Sequence, residues 1–171
     1  MLDRAVQALK SGREPALDQP LEQSTDIDLH IPALLPEDYL PDVHTRLVMY
    51  KRIAGARGDE ALRELQVEMV DRFGLLPTPA QNLFAVARLR QRAEAMGIER
   101  IDIGPGGGVV QFSETPRVDP AALVRMVQEQ PAVYRLEGQE RLRFRYETGT
   151  AEARLALIDQ LLDAMRMREA A

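Results

Sequence analysis

At 171 residues the chain has the length of one domain, or of one domain with a short piece of a neighbour, which excludes a complete multi-domain machine. A composition of 45% hydrophobic and 29% charged residues excludes wholesale disorder, and a formal charge of −5 argues against a surface that binds phosphates all over. Cysteine is absent, which removes disulfides, thiolate zinc sites and cysteine nucleophiles together and points to a cytoplasmic setting. No apolar run approaches the roughly 20 residues of a membrane span, and the N-terminal segment lacks the apolar centre of a signal peptide. Of the 22 basic residues only Lys10 and Lys51 are lysines. That bias fits either arginine-rich codon usage or a surface built for bidentate carboxylate pairing.

In chain order, Leu2, Val6 and Leu9 fall at helical spacing, and Ser11-Gly12 ends that helix. Residues 12–23 mix Gly, Pro, Asp and Glu as a linker does, so a domain boundary is placed there. Residues 25–31 alternate, with Ile27, Leu29 and Ile31 on one side, and predict a half-buried strand closed by Pro32. Beyond Pro41-Asp42, which suit cap and first-turn positions, Val43, Leu47, Tyr50 and Ile53 recur about one turn apart. Gly55 and Gly58 interrupt that helix. Asp59 is the expected cap of the next, which runs from about Glu60 to Phe73 on Leu62, Leu65, Met69 and Val70 and stops at a left-handed Gly74.

Thr78-Pro79 reads as a cap followed by a first-turn proline. The helix that follows has a broad apolar face, Leu83 to Leu89, that suits a central position, and Gly97 ends it. Ile98 to Phe112 then predicts a β-hairpin turning at Gly104 to Gly108. A short helix over 120–130 precedes a second hairpin, 133–136 with 141–146, whose Leu142, Phe144 and Tyr146 share a face. A long helix over about 151–168 closes the chain, with Leu155, Ile158, Leu161, Leu162 and Met165 inward. The expected class is α+β, a helical cluster packed on a small, mostly antiparallel sheet built from hairpins.

Few motifs suggest chemistry. Gly104 to Gly108 lead into a strand and lack the Gly-Lys-Ser/Thr of a phosphate loop, so they read as a turn. His30 and His44 have no ligand-type spacing and read as surface or cap residues, and Ser113 has neither a nucleophile motif nor a histidine beside it in sequence. Arg141, Arg143 and Arg145 alternate with Leu142, Phe144 and Tyr146 and face the opposite way, as a solvated or docking face. Glu64, Glu68 and Arg72 form a charged i, i+4 stripe, with Asp71 beside it.

Several motifs in order carry a resemblance. Leu34-Leu35-Pro36-Glu37-Asp38-Tyr39-Leu40-Pro41-Asp42-Val43, then Tyr50-Lys51-Arg52-Ile53-Ala54, Glu68-Met69-Val70-Asp71-Arg72-Phe73-Gly74, Ala87-Arg88-Leu89-Arg90 and Tyr134-Arg135-Leu136 are similar to the C-terminal (TRCF) domain of bacterial transcription-repair-coupling factors. The similarity runs over about residues 26–167. It implies that 1–11 is the last helix of a preceding translocase domain, 12–23 a linker and 24–171 a C-terminal regulatory domain. Family members are ATP-driven DNA translocases that displace stalled RNA polymerase and recruit the UvrA repair protein. ATP and magnesium would belong to the parent, leaving this part without cofactor, metal or catalysis of its own.

What the resemblance implies here is docking on the parent's own N-terminal UvrB-like module, which masks the UvrA-binding surface and restrains the motor. Glu68, Asp71 and Arg72 are the residues onto which that docking is carried. The alternative makes the hairpin of Arg141, Arg143 and Arg145 a DNA-contacting accessory of the motor.

Overall fold

A computed structural model describes residues 25–167. The helix expected at the N-terminus and the linker at 12–23 lie outside the described residues, as do the last residues of the chain. Within them, strand β1 (Asp26–Asp28) precedes three helices, α1 (Val43–Gly55), α2 (Gly58–Phe73) and α3 (Thr78–Ala95). Then follow β2 (Ile98–Gly104), β3 (Gly107–Phe112), α4 (Pro120–Glu129), β4 (Tyr134–Glu137), β5 (Arg141–Arg145) and α5 (Ala151–Met165). The sheet order is β1-β2-β3-β5-β4, antiparallel except for β1, which pairs in parallel with β2. The α+β class therefore holds, with one addition: the strand before the helices joins the hairpins as an edge.

Strict alternation gives the sheet two unlike faces. Ile27, Ile101, Ile103, Val110, Leu142 and Phe144 turn to one side and are buried under α3, α4 and α5 together with Leu123, Ile158, Leu161 and Met165. Outward positions on the other face carry charged side chains, the pattern of an antiparallel sheet with one side in water. A second core, with Leu35, Leu40, Met49, Ile53, Leu62, Leu65, Met69 and Phe84, lies among α1, α2 and α3. Each fully buried side chain of this size contributes roughly 1.5–3 kcal/mol.

Helix α3 belongs to both. Ala80, Phe84 and Ala87 face the helical core, while Val86, Leu89 and Ala93 face the sheet. Its buried Asn82 donates to Pro32 O at 2.9 Å, tying the loop after β1 onto the same helix. The broad apolar face read from sequence is thus two faces.

Local rules explain several departures from the sequence reading. The predicted strand over 25–31 pairs only at 26–28, because His30 turns to φ 52°, left-handed backbone that breaks the ladder. In α1 the cap is Asp42, which accepts from Thr45 N at 2.9 Å, but the buried residues are Met49 and Ile53. Val43 and Leu47, expected inward, are 58% and 38% exposed.

Helix α2 begins at Gly58 after Arg57, not at an Asp59 cap; Asp59 sits in the first turn and binds Arg88 at 2.8 Å. Gly74 has the positive φ expected (98°) with an extended ψ of −178°, so its cap is not the left-handed one. The cap of α3 is Pro77, with Thr78 already inside the helix and making no side-chain cap bond. Tyr146 lies past the end of β5, 44% exposed, and so leaves the face of Leu142 and Phe144. In α5 Leu157 is buried and Leu155 only partly so, and the helix stops at Met165.

Gly108 in β3 shows why the glycine run is more than a turn: a Cβ there would be driven into the Asp102 carbonyl of the neighbouring strand. Arg154, in the first turn of α5, is 7% exposed and donates to three carbonyls, Thr148 O (3.1 Å), Leu29 O (3.1 Å) and His30 O (3.0 Å). It joins the end of β1 to the segment after β5. Replacing it by methionine removes these donors, each buried acceptor left unpaired costing about 1–3 kcal/mol. Arg154→Met should lower stability by about 2–4 kcal/mol in urea unfolding with little change in m-value; a change below about 0.5 kcal/mol would contradict this role.

Candidate functional site: the charged face of α1 and α2

Packing of Met49 and Ile53 of α1 against the Leu62, Leu65 and Met69 side of α2 sets the last turn of α1 beside the last two turns of α2. That register carries Arg52 to Glu68. The guanidinium grips the carboxylate with both ends, Nη1 to Oε2 at 2.5 Å and Nη2 to Oε1 at 2.7 Å. One turn further along α2, Arg72 donates to the same Oε2 at 3.0 Å. Hydrogen bonds from Arg52, then from Arg72, hold the Glu68 carboxyl down to about 2. The bond to Glu68 likewise raises Arg52.

Aromatic contacts fix the end of α2. Tyr39 donates to Gly74 O at 2.9 Å and meets the Phe73 ring edge-on at 6.2 Å, while the Arg72 guanidinium lies 4.7 Å from the Phe73 ring centre. Burial of the Tyr39 phenol raises its pKa. Asp71 is exposed, and its side chain makes no ion pair or hydrogen bond among the described residues. Around this cluster Val48, Val67 and Leu75 are exposed apolar side chains, Leu75 at 85%.

The structure therefore brings Glu68, Asp71 and Arg72 to one end of one helix, as their spacing implied. It also distinguishes them: Glu68 is occupied within the domain, Arg72 is shared, and Asp71 is available. The sequence reading missed Arg52, whose partner is 16 residues away on another helix; no local spacing rule signals such a pair.

Arg141, Arg143 and Arg145 lie on the outward face of β5, opposite buried Leu142 and Phe144. Arg143 binds Glu137 of β4 at 2.9 Å, lowering the Glu137 carboxyl, and Arg135 reaches the same oxygen at 3.5 Å. Arg141 and Arg145 make no ion pair among the described residues. A cleft of about 640 Å³ opens between α3 and α5. Its rim is closed by Arg88 with Asp59 and by Arg92 with Asp159 and Asp163, and no unpaired nucleophile or base points into it.

His30, read as an ordinary surface residue, sits between two carboxylates. Its Nε2 is 2.9 Å from Asp102 Oδ1 and its Nδ1 3.6 Å from Asp28 Oδ1. The hydrogen bond with His30 is the main cause of a lowered Asp102 carboxyl. These three offer donor atoms within 4.8 Å of one another, the one such group among the described residues. Both ring nitrogens already face carboxylates, and Arg100 reaches Asp102 at 3.2 Å, so the group ties the turn after β1 to β2. His44 stands near the start of α1, and no hydrogen bond links Ser113 to either histidine among the described residues.

A family model described as the TRCF domain matches residues 29–123. The transcription-repair-coupling factor of Escherichia coli (strain K12) is 46% identical over 162 residues, covering 95% of this chain and 14% of that protein. The factor of Haemophilus influenzae is 44% identical with the same coverage, and that of Myxococcus xanthus 30% identical over 88% of this chain and 12% of its own. The chain thus spans about a seventh of the Escherichia coli and Haemophilus influenzae relatives. A crystal structure of the C-terminal domain of transcription-repair coupling factor superposes with a TM-score of 0.67 at 20% identity, covering 83% of this chain and 94% of that one, which establishes the fold. Among the described residues no helix is long and apolar enough to cross a membrane.

Glu68 makes a pH-dependent contribution whose sign is fixed by its depressed pKa. The contribution is complete above the ordinary glutamate range near 4.5 and is lost as pH falls towards about 2. Carbon-detected NMR titration should place this carboxyl near 2 and return it towards the ordinary range in Arg52→Met. An ordinary value in the unaltered chain would contradict the two-arginine clamp.

Proposed function

The chain belongs to the TRCF domain family, and from that premise we propose that it is the regulatory domain of a transcription-repair-coupling factor. It acts through protein contact, docking by the end of α2 on the parent's N-terminal UvrB-like module. There it covers the surface that UvrA uses and restrains the ATP-dependent translocase that displaces stalled RNA polymerase. The observation that carries this reading is the unequal pairing of the α2 charges. Glu68 is held ionised between Arg52 and Arg72, and the Asp71 side chain stands beside it with no partner among the described residues.

A carboxylate fixed in a rigid frame of opposite charges, next to a free one, forms a prearranged half of an ion-pair interface. The exposed Val67 and Leu75 supply apolar contact around it. Tethering to the same polypeptide gives such a face a high effective concentration at its target, so a modest interface suffices to exclude a competitor that arrives from solution. Catalysis and cofactor binding are assigned to the rest of the parent, where ATP and magnesium would be held.

Asp71 allows a test that separates docking from folding. In a complete coupling factor carrying this domain, Asp71→Lys should raise UvrA binding about tenfold and increase basal ATP hydrolysis, the size expected for one lost interfacial ion pair of about 1.4 kcal/mol. The isolated chain should keep its unfolding midpoint. Glu68→Lys should release the same activities but also lower that midpoint, since it leaves Arg52 and Arg72 facing a third cation. Unchanged UvrA binding in the Asp71 variant would sink the proposal.

A further inference from the structure

The outward face of the sheet is polar in a directional sense. Along one edge, β1 and β2 present Asp26, Asp28 and Asp102 with Arg100 as the one opposing cation among their outward positions. On the far side of β3, two strand spacings of about 4.8 Å from β2 at the nearest, β5 and β4 present Arg141, Arg143, Arg145 and Arg135 against Glu137 alone. Between them the outward positions are uncharged: Gly104 pairs with Gly107, Val109 stands opposite Arg143 and Gln111 opposite Arg141. The arginines of β5 therefore border a strand without outward charge. Their spacing is that of alternate strand residues, about 6.8 Å, which is of the order of the direct separation between neighbouring phosphates of one DNA strand.

We propose that this half of the sheet is a binding surface for the phosphate backbone of duplex DNA, separate from the docking end of α2. The row favours a regular polyanion over a protein segment, because the outward positions of β3, β5 and β4 offer a glycine, Val109, Gln111 and charges, without the apolar centre a protein interface uses. Tyr134 and Phe144 of the same hairpin pack against each other, rings 6.4 Å apart, on the core side. Tyr146, past the end of β5 and 44% exposed, is a single ring at one end of the row and not a series of stacking surfaces, so the charges point to the duplex backbone as the form recognised. The acidic edge repels a phosphate chain and confines it to the β3-β5-β4 side. Glu137 works against binding by occupying Arg143 and Arg135, which leaves Arg141 and Arg145 as the leading contacts.

Binding of a short fluorescent duplex to the 171-residue chain, followed by anisotropy across a salt series, tests this. With about three phosphates neutralised, the affinity should fall about 40-fold between 50 and 200 mM salt, a log–log slope near −2.7. Arg141→Gln with Arg145→Gln should weaken binding and flatten the slope by about two charges' worth. Glu137→Gln, by freeing two guanidiniums, and Asp28→Asn, by relieving repulsion, should each strengthen it severalfold, whereas Asp71→Lys should not depend on these arginines. Absence of binding at low salt, a slope indifferent to Arg141 and Arg145, or weakening by Glu137→Gln would overturn the proposal. So would equal, arginine-dependent affinity for polyglutamate, which would assign the surface to an acidic protein.

Discussion

Helix α3 buries Ala80, Phe84 and Ala87 against α1 and α2, while Val86, Leu89 and Ala93 lie against the sheet, so one helix is a wall of both cores. A helix with two buried sides has little surface left for water and cannot shift on one side without disturbing the other, because protein interiors are close-packed. The position of α1 and α2 is thereby fixed relative to the strands. Salt links repeat the constraint at the surface: Arg88 holds Asp59 of α2 and Arg92 holds Asp159 and Asp163 of α5. Without α3 the α1–α2 hairpin would lose its third wall, and the sheet would keep only the cover of α4 and α5.

That arrangement separates two charged surfaces by chemistry as well as position. At the end of α2 the ions are mostly spoken for: Arg52 and Arg72 neutralise Glu68, and Asp71 is what remains. On β5 the balance is the reverse. One carboxylate, Glu137, serves Arg143 and Arg135, and the other two arginines remain in solvent. Exposed ion pairs stabilise a fold little, typically under about 1 kcal/mol. Their consequence here is selectivity, since they decide which charges a partner meets.

Much of this could be read from residue order. The alternation in 141–145, the cap at Asp42, the helix starting at Pro120 and the hairpin around the glycines all follow from local periodicity and backbone chemistry, and the structure keeps them. Errors cluster where a tertiary contact overrides a local signal. Val43 and Leu47 looked like core because α1 has two weak apolar stripes, and packing on α2 selects the one with Met49 and Ile53. Asp59 looked like a cap but is drawn to Arg88, 29 residues on. His30 is at the surface, as it read, but the local spacing did not show the left-handed turn that sets its ring between Asp28 and Asp102. Neither Arg52, although it lies in a motif of the resemblance, nor Arg154 signals its partner in the sequence, since the groups they bind are close only once the chain has folded.

Membership of the TRCF family sets the context, and the charge pairing at the end of α2 gives the regulatory reading its physical content. The most direct measurement is site-specific photo-crosslinking in a resting, complete coupling factor that carries this domain. A crosslinker at position 71 should capture the N-terminal UvrB-like module and lose it when UvrA is added, while the same group at position 143 should capture neither. Capture from position 143 but not from 71, or from neither, would contradict docking through α2.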